Sequence, residues 1–159
     1  FQDNDGGDVG GGVAIRGSIG HLVLANNTLT GNMATSDGGA IFVDATDTAS
    51  LSIVSNIWAY SDGKSGLYVR LGSKAGMVAN TGYATSGGDD FEGEASASGT
   101  NTSENPVFEV LTNNGDPADD DLTLKSTSPM INTGPSDTAW NDPDGSRNDR
   151  GYTGGPGAL

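Results

Sequence analysis

The chain has 159 residues, 21 acidic against 7 basic side chains for a net charge of −14, 26 glycines and no cysteine. This excludes disulfides, thiolate metal sites and a cysteine nucleophile, and it argues against nucleic acid, whose phosphates need clustered Lys and Arg. With only 33% hydrophobic residues a thick α/β core is hard to build, whereas a solenoid needs only a narrow apolar strip in each coil.

A repeat is already running at the first residue. Phe1-Gln2-Asp3-Asn4 is followed by Gly11-Gly12-Val13-Ala14-Ile15, and Leu29-Thr30-Gly31-Asn32 by Gly39-Ala40-Ile41-Phe42-Val43. Gly39 stands 28 residues after Gly11, and a third, worn copy, Ser65-Gly66-Leu67-Tyr68-Val69, places Val69 26 residues after Val43. A fixed period in this range means one supersecondary unit stacked on the next. Because Phe1 falls inside a repeat, the expectation is a chain that continues upstream or a processed mature form.

Each period holds short β-branched or aromatic segments separated by Gly, Asn, Asp and Ser. The first coil offers Val13–Ile15, Leu22–Leu24 and Thr28–Thr30; the second offers Ala40–Val43, Leu51–Val54 and Ile57–Tyr60; the third offers Leu67–Leu71 and Met77–Ala79. No segment carries a 3.6-residue apolar period, so almost no helix is expected. Three short strands per coil predict an all-β, right-handed parallel β-helix of about three to five short coils, with rungs roughly 4.8 Å apart. Residues 1–81 read as the stacked coils, 82–105 as an exposed loop, and 106–159 as the last coil with an irregular Gly/Asp/Pro-rich cap over the bottom of the stack, one domain in all.

Asn27, Asn56 and Asn80 follow the middle strand of each coil. Asn tolerates left-handed backbone angles at a sharp turn, and stacked Asn amides can hydrogen-bond from rung to rung. Gly11 and Gly39 precede strands, where the chain must turn without a Cβ.

Two resemblances follow from these residues. The Phe1-to-Asn4 and Gly38-to-Ile41 elements resemble repeats of bacterial polymorphic outer-membrane and related β-helix surface proteins. Asn105-Pro106-Val107-Phe108, Asp121-Leu122-Thr123-Leu124, Ser128-Pro129-Met130-Ile131-Asn132-Thr133-Gly134 and Asp142-to-Gly151 resemble, in order, the C-terminal end of secreted, pectate-lyase-like right-handed β-helix proteins. That resemblance implies the terminal part of such a protein and an extracellular or cell-surface location, without saying which member.

Several residues are candidates for chemistry. Asp142, Asp144 and Asp149, with Gly145, have the alternate carboxylates of a calcium loop; the competing reading has Asp142 and Asp149 accepting backbone N–H groups and pairing with Arg147. Asp3, Asp5 and Asp8 form a weaker calcium candidate, and Asp119 to Asp121 read as a solvated run. His21 is the lone histidine and reads as surface. A lyase would need a basic residue to abstract a proton; Arg16, Lys64, Arg70 and Lys74 are the options, with Arg16 and Arg70 expected on one face, but nothing assembles a catalytic set. Trp58 reads as core. Tyr60 and Tyr68, with Tyr83 nearby, are candidates to stack on sugar rings. Asn26-Asn27-Thr28 and Asn101-Thr102-Ser103 match glycosylation acceptors, a pattern of little weight.

The functional expectation is an extracellular structural or adhesive module, stacking through an open N-terminal rung on upstream coils or on identical subunits, with extracellular polysaccharide a further partner and no nucleic acid or membrane span. The alternatives are a non-catalytic C-terminal fragment of a polysaccharide-lyase-like enzyme and a glycan-binding module.

Overall fold

The computed structural model describes residues 1–47, 51–73, 75–95 and 99–158. Almost all regular structure is β, and most of it is parallel. The chain visits three sheets in turn. β1 (Val13–Ser18), β2 (Leu22–Ala25) and β3 (Thr28–Thr30) form one coil; β4 (Ile41–Asp47), β5 (Leu51–Val54) and β6 (Ile57–Ala59) the next; β7 (Ser65–Val69), β8 (Gly76–Val78) and β9 (Thr81–Tyr83) the third. β10 (Asp89–Gly93) begins a fourth. The sheet orders are β1-β4-β7-β10, β2-β5-β8 and β3-β6-β9. Strands of each sheet therefore come from successive coils, an arrangement compatible with a β-helix-like solenoid.

The register stacks like on like. Val13, Ile41, Leu67 and Phe91 form one inward column, and Leu24, Ile53 and Met77 another. Alternation along each strand sends every second residue outward, so Arg16 and Asp44 face solvent from the strands whose Ile15 and Val43 are buried. Leu29, Ile41, Val43, Ile53, Trp58 and Leu67 fill the middle of the stack. Trp58 is fully buried, and its Nε1 donates to the Asp90 carbonyl at 3.0 Å.

Four expectations need correction. Leu71 lies beyond β7 and is 84% exposed; Gly72 at φ +89° turns the chain there. The expected loop 82–105 holds the end of β9 and all of β10, and Thr102 bridges to Thr81. Backbone pairing to the coil above places β10 and Thr102 even though these residues carry little apolar signal.

Residues 106–158 add no strand to the three parallel sheets. β11 (Phe108–Val110) and β12 (Asp121–Leu124) pair antiparallel, apart from the three parallel sheets. Phe108 and Met130 pack on Ile57 and Ala59, which face outward from β6 because Trp58 between them points in. The C-terminal segment is thus a strap along the side of the stack. Gly151 N–H donates to the Ser55 carbonyl at 2.8 Å and Tyr152 N–H to Thr28 Oγ1 at 3.1 Å.

The left-handed turn residues, finally, are Asn26, Ser55 and Ala79, with φ of 53°, 57° and 56°, each one position before the Asn expected there.

Candidate functional site

Asn27, Asn56 and Asn80 stand in one hydrogen-bonded column. Asn27 Nδ2 donates to Asn56 Oδ1 at 3.0 Å, Asn56 Nδ2 to Asn80 Oδ1 at 3.1 Å, and Asn80 Nδ2 to Asn101 Oδ1 at 3.0 Å. Asn56 and Asn80 are fully buried, and each Oδ1 also takes the backbone N–H of the Asn one coil above. Asn101 was missed in the sequence because it lies in the stretch read as loop. A second, shorter column joins Asn4 Nδ2 to Asn32 Oδ1 at 2.9 Å.

Gly11 and Gly39 are required by close approach rather than by backbone angle. A Cβ on Gly11 would run into the Gly39 carbonyl oxygen, and one on Gly39 into that of Asp62, in the coil below.

Asp142, Asp144 and Asp149 line one surface cavity with Ile131, Asn132 and Ser146. Their carboxylates are used locally. Asp142 Oδ1 accepts from Gly155 N–H at 2.6 Å and its Oδ2 from Asp149 N–H at 3.1 Å. Asp149 Oδ1 accepts from Asn132 N–H at 2.6 Å, and Asp144 Oδ1 from the Ser146 N–H and hydroxyl. Burial raises the Asp149 pKa, and the nearby charges of Asp142 and Asp144 raise it further against the opposing Asn132 bond. Arg147 does not pair with these acids: it donates through Nε and Nη2 to the Gly134 carbonyl.

At the other end of the chain, Asp5 Oδ1 accepts from Gly7 N–H at 2.7 Å and Asp8 Oδ1 from the Ser36 hydroxyl at 2.9 Å. Asp3 and Asp5 share a surface cavity with Asp62. No group of three or more His, Cys, Asp or Glu side chains placed to hold a metal occurs among the described residues. Asp119 and Asp120 accept from the Thr112 hydroxyl, and Asp120 Oδ2 also accepts from Gln2 Nε2 at 2.9 Å, tying the strap to the first residues.

The two tyrosines part company. Tyr60 packs edge-on against Tyr83, 5.6 Å between centroids, beside the core shared with the strap. Tyr68 stacks on Phe42 at 5.6 Å with rings 7° from parallel, on the outward face of the four-stranded sheet. Arg16 lies over the other side of Phe42, its Cζ 5.3 Å from the ring centroid. Arg70 Nη1 donates to Asp44 Oδ2 at 2.6 Å on the same face. Lys64 is an exposed residue in the turn before β7, His21 is exposed before β2, and Lys74 lies outside the described residues. Among the described residues the basic candidates are therefore dispersed over the surface.

Arg150 carries a role the sequence did not reveal. It is 5% exposed. Its Nη1 donates to the Asn80 carbonyl at 3.0 Å, Thr81 Oγ1 at 2.7 Å and Thr102 Oγ1 at 2.8 Å; Nη2 reaches the Thr100 carbonyl at 3.1 Å and Nε the Thr133 carbonyl at 3.3 Å. Burial pulls its pKa below the usual arginine value. An arginine fork suits such a set of acceptors.

The ends of the stack are the remaining distinctive surface. β1 and β2 are edge strands, as are β10 and β8 opposite. Val13, Leu22 and Leu24 are only partly buried at one end, and Met77 and Phe91 at the other. Unpaired strand edges over an apolar strip are templates for further strands. No helix among the described residues is long and apolar enough to cross a membrane. No family model matches the chain, and comparison with curated proteins and with solved structures finds no match.

Proposed function

We propose that this chain is an extracellular structural or adhesive module, built as a right-handed parallel β-helix, that lengthens by accepting further coils or further copies at its open end. The observation that carries the reading is the exposed edge of β1 and β2 above the half-buried Val13, Leu22 and Leu24. The right hand follows from the rule that parallel crossover connections are right-handed. The chain's visit to three sheets in each coil supports the solenoid. An assembling module needs no converging catalytic groups, and the basic candidates Arg16, Lys64 and Arg70 are dispersed among the described residues. Electron microscopy of the purified chain at increasing concentration tests the reading: rods of growing length support it, and uniform single particles at every concentration refute it.

A second reading, glycan binding, is favoured by one observation. The half-buried Tyr68 ring lies parallel to the buried Phe42 ring on an outward sheet face beside Arg16 and Arg70, and the part of the Tyr68 ring that solvent reaches suits a sugar ring. Titration of an acidic polysaccharide into the chain and into Tyr68→Ala, read by calorimetry, decides it: heat lost in the variant supports this reading, and no heat with either protein removes it.

A further inference from the structure

One outward column of the four-stranded sheet alternates in charge from coil to coil. Arg16 is in register with Asp44. Arg70 pairs with Asp44 at 2.6 Å. Glu94 follows Gly93, which is in register with Val69, and its N–H donates to the Val69 carbonyl at 2.7 Å; the Arg70 N–H donates to the Val43 carbonyl in the same way, so Glu94 takes the next backbone position in this column after Arg70. The column reads cation, anion, cation, anion.

Its two ends are open. Arg16 is exposed and makes no ion pair among the described residues. Glu94 is exposed, makes no ion pair among the described residues, and accepts the Gly72 N–H at 3.5 Å. The inward column beside it ends in partly buried apolar groups, Val13 at one end and Phe91 at the other. The Asn column is also polar: each amide donates toward the next coil, and Asn27 Oδ1, at its head, accepts nothing among the described residues.

We infer that a second copy of this chain docks head to tail, with β10 of one copy laid parallel along β1 of the next, in the register already used inside the stack. Phe91 then covers Val13, and Glu94 meets Arg16, so the alternation of charge continues across the junction. The inference rests on the proposal that the open end accepts copies, and it specifies which strands meet and which charges pair. A head-to-tail contact of this kind does not close on itself.

The third sheet adds a condition. Phe1 to Asp3 stand one coil above β3: Gln2 bridges to Thr30, and the Asp3 N–H donates to the Thr30 carbonyl at 3.0 Å. At the opposite end Thr102 lies one coil below β9, accepting from the Gly82 N–H at 3.0 Å. In the docked pair these two segments fall in the same place, so docking displaces Phe1 to Asp3. That segment is a brake on assembly.

The test is sedimentation velocity of the whole chain over a wide concentration range near 0.15 M salt, where the −14 charge of each copy is screened over about 8 Å. Five proteins are compared: the chain itself, Arg16→Glu, Glu94→Arg, the double exchange, and a chain lacking residues 1–3. Both single exchanges sit on exposed side chains, and circular dichroism of each variant checks its folding. The expected result is concentration-dependent association weakened about tenfold or more by either single exchange, restored by the double exchange, and strengthened by the deletion. Association that ignores the exchanges overturns this register and leaves stacking of copies standing. A single monomeric species for both the chain and the deletion overturns docking of copies altogether.

Discussion

Asn56 Nδ2 donates to Asn80 Oδ1 at 3.1 Å, with both side chains fully buried between successive coils. Asn56 also donates to the Leu24 and Val54 carbonyls and accepts from Asn27. Asn56→Ala strips partners from groups in three coils at once. Each buried polar group left unmatched costs about 1–3 kcal/mol, so the variant should lose about 3 kcal/mol or more in urea unfolding. Asn4→Ala, at the exposed end of the other column, should lose under about 1 kcal/mol.

Arg150 fastens the strap to the third and fourth coils through hydroxyl and carbonyl oxygens, with no ion-pair partner among the described residues. Arg150→Met leaves those neutral oxygens buried and unmatched, and at about 1–3 kcal/mol for each group left without a partner it should cost roughly 3 kcal/mol or more. Limited proteolysis should then cut residues 106–158 while the coils stay intact. Arg150→Lys keeps the charge but not the planar fork and should fall between the two.

Gly39 and Gly20 separate two kinds of glycine. A Cβ at Gly39 meets the Asp62 carbonyl of the next coil, whereas one at Gly20 meets nothing within 4 Å. Gly39→Ala must push two coils apart and should cost about 2–4 kcal/mol, in the range of severe overpacking. Gly20→Ala should change thermal stability by less than about 0.5 kcal/mol.

Asp149 gives the fold a pH signature. Burial and the charges of Asp142 and Asp144 raise its folded pKa above the ordinary 3.8. An acid shifted in this direction destabilises the fold while ionised, and that penalty is relieved as pH falls through the raised pKa toward 3.8. Asp149→Asn keeps an acceptor for the Asn132 N–H and removes the charge. It should match or exceed the parent in melting temperature at pH 7, and the difference should shrink as the medium is acidified toward pH 4. Asp144 works in the opposite sense: its bonds to Ser146 lower its pKa, so its contribution is lost only below 3.8.

The coils were legible because the period of the chain is the period of the stack. Gly11 and Gly39, or Val43 and Val69, could be aligned by eye, and they stand in adjacent coils here. The Asn column was legible for the same reason as far as Asn80, and it stopped where the spacing shortened: Asn101 follows Asn80 after 21 residues. β10 escaped because Asp89-Asp90-Phe91-Glu92-Gly93 shows one apolar residue, and its place is set by pairing with β7 rather than by burial. The strap was misread because its apolar groups, Phe108 and Met130, pack on Ile57 and Ala59 on the outside of a sheet, and a short apolar segment does not show whether it packs inside a coil or against its outer face. Arg150 gave no local signal, since all its partners but Thr133 lie 48 to 70 residues away. The aspartates were visible as carboxylates, and acceptance of backbone N–H groups by Asp142 and Asp149 was one of the two readings their pattern allowed; the pairing with Arg147 that went with it was not legible, because that side chain turns to the Gly134 carbonyl.

Hydrogen exchange of the whole chain at low and at high protein concentration tests the open-end account most directly. The account predicts that amides of β1, β2 and β10 exchange fast when dilute and become protected when concentrated, while those of β4 and β5 are protected throughout. Identical exchange of β1, β2 and β10 at both concentrations would contradict it.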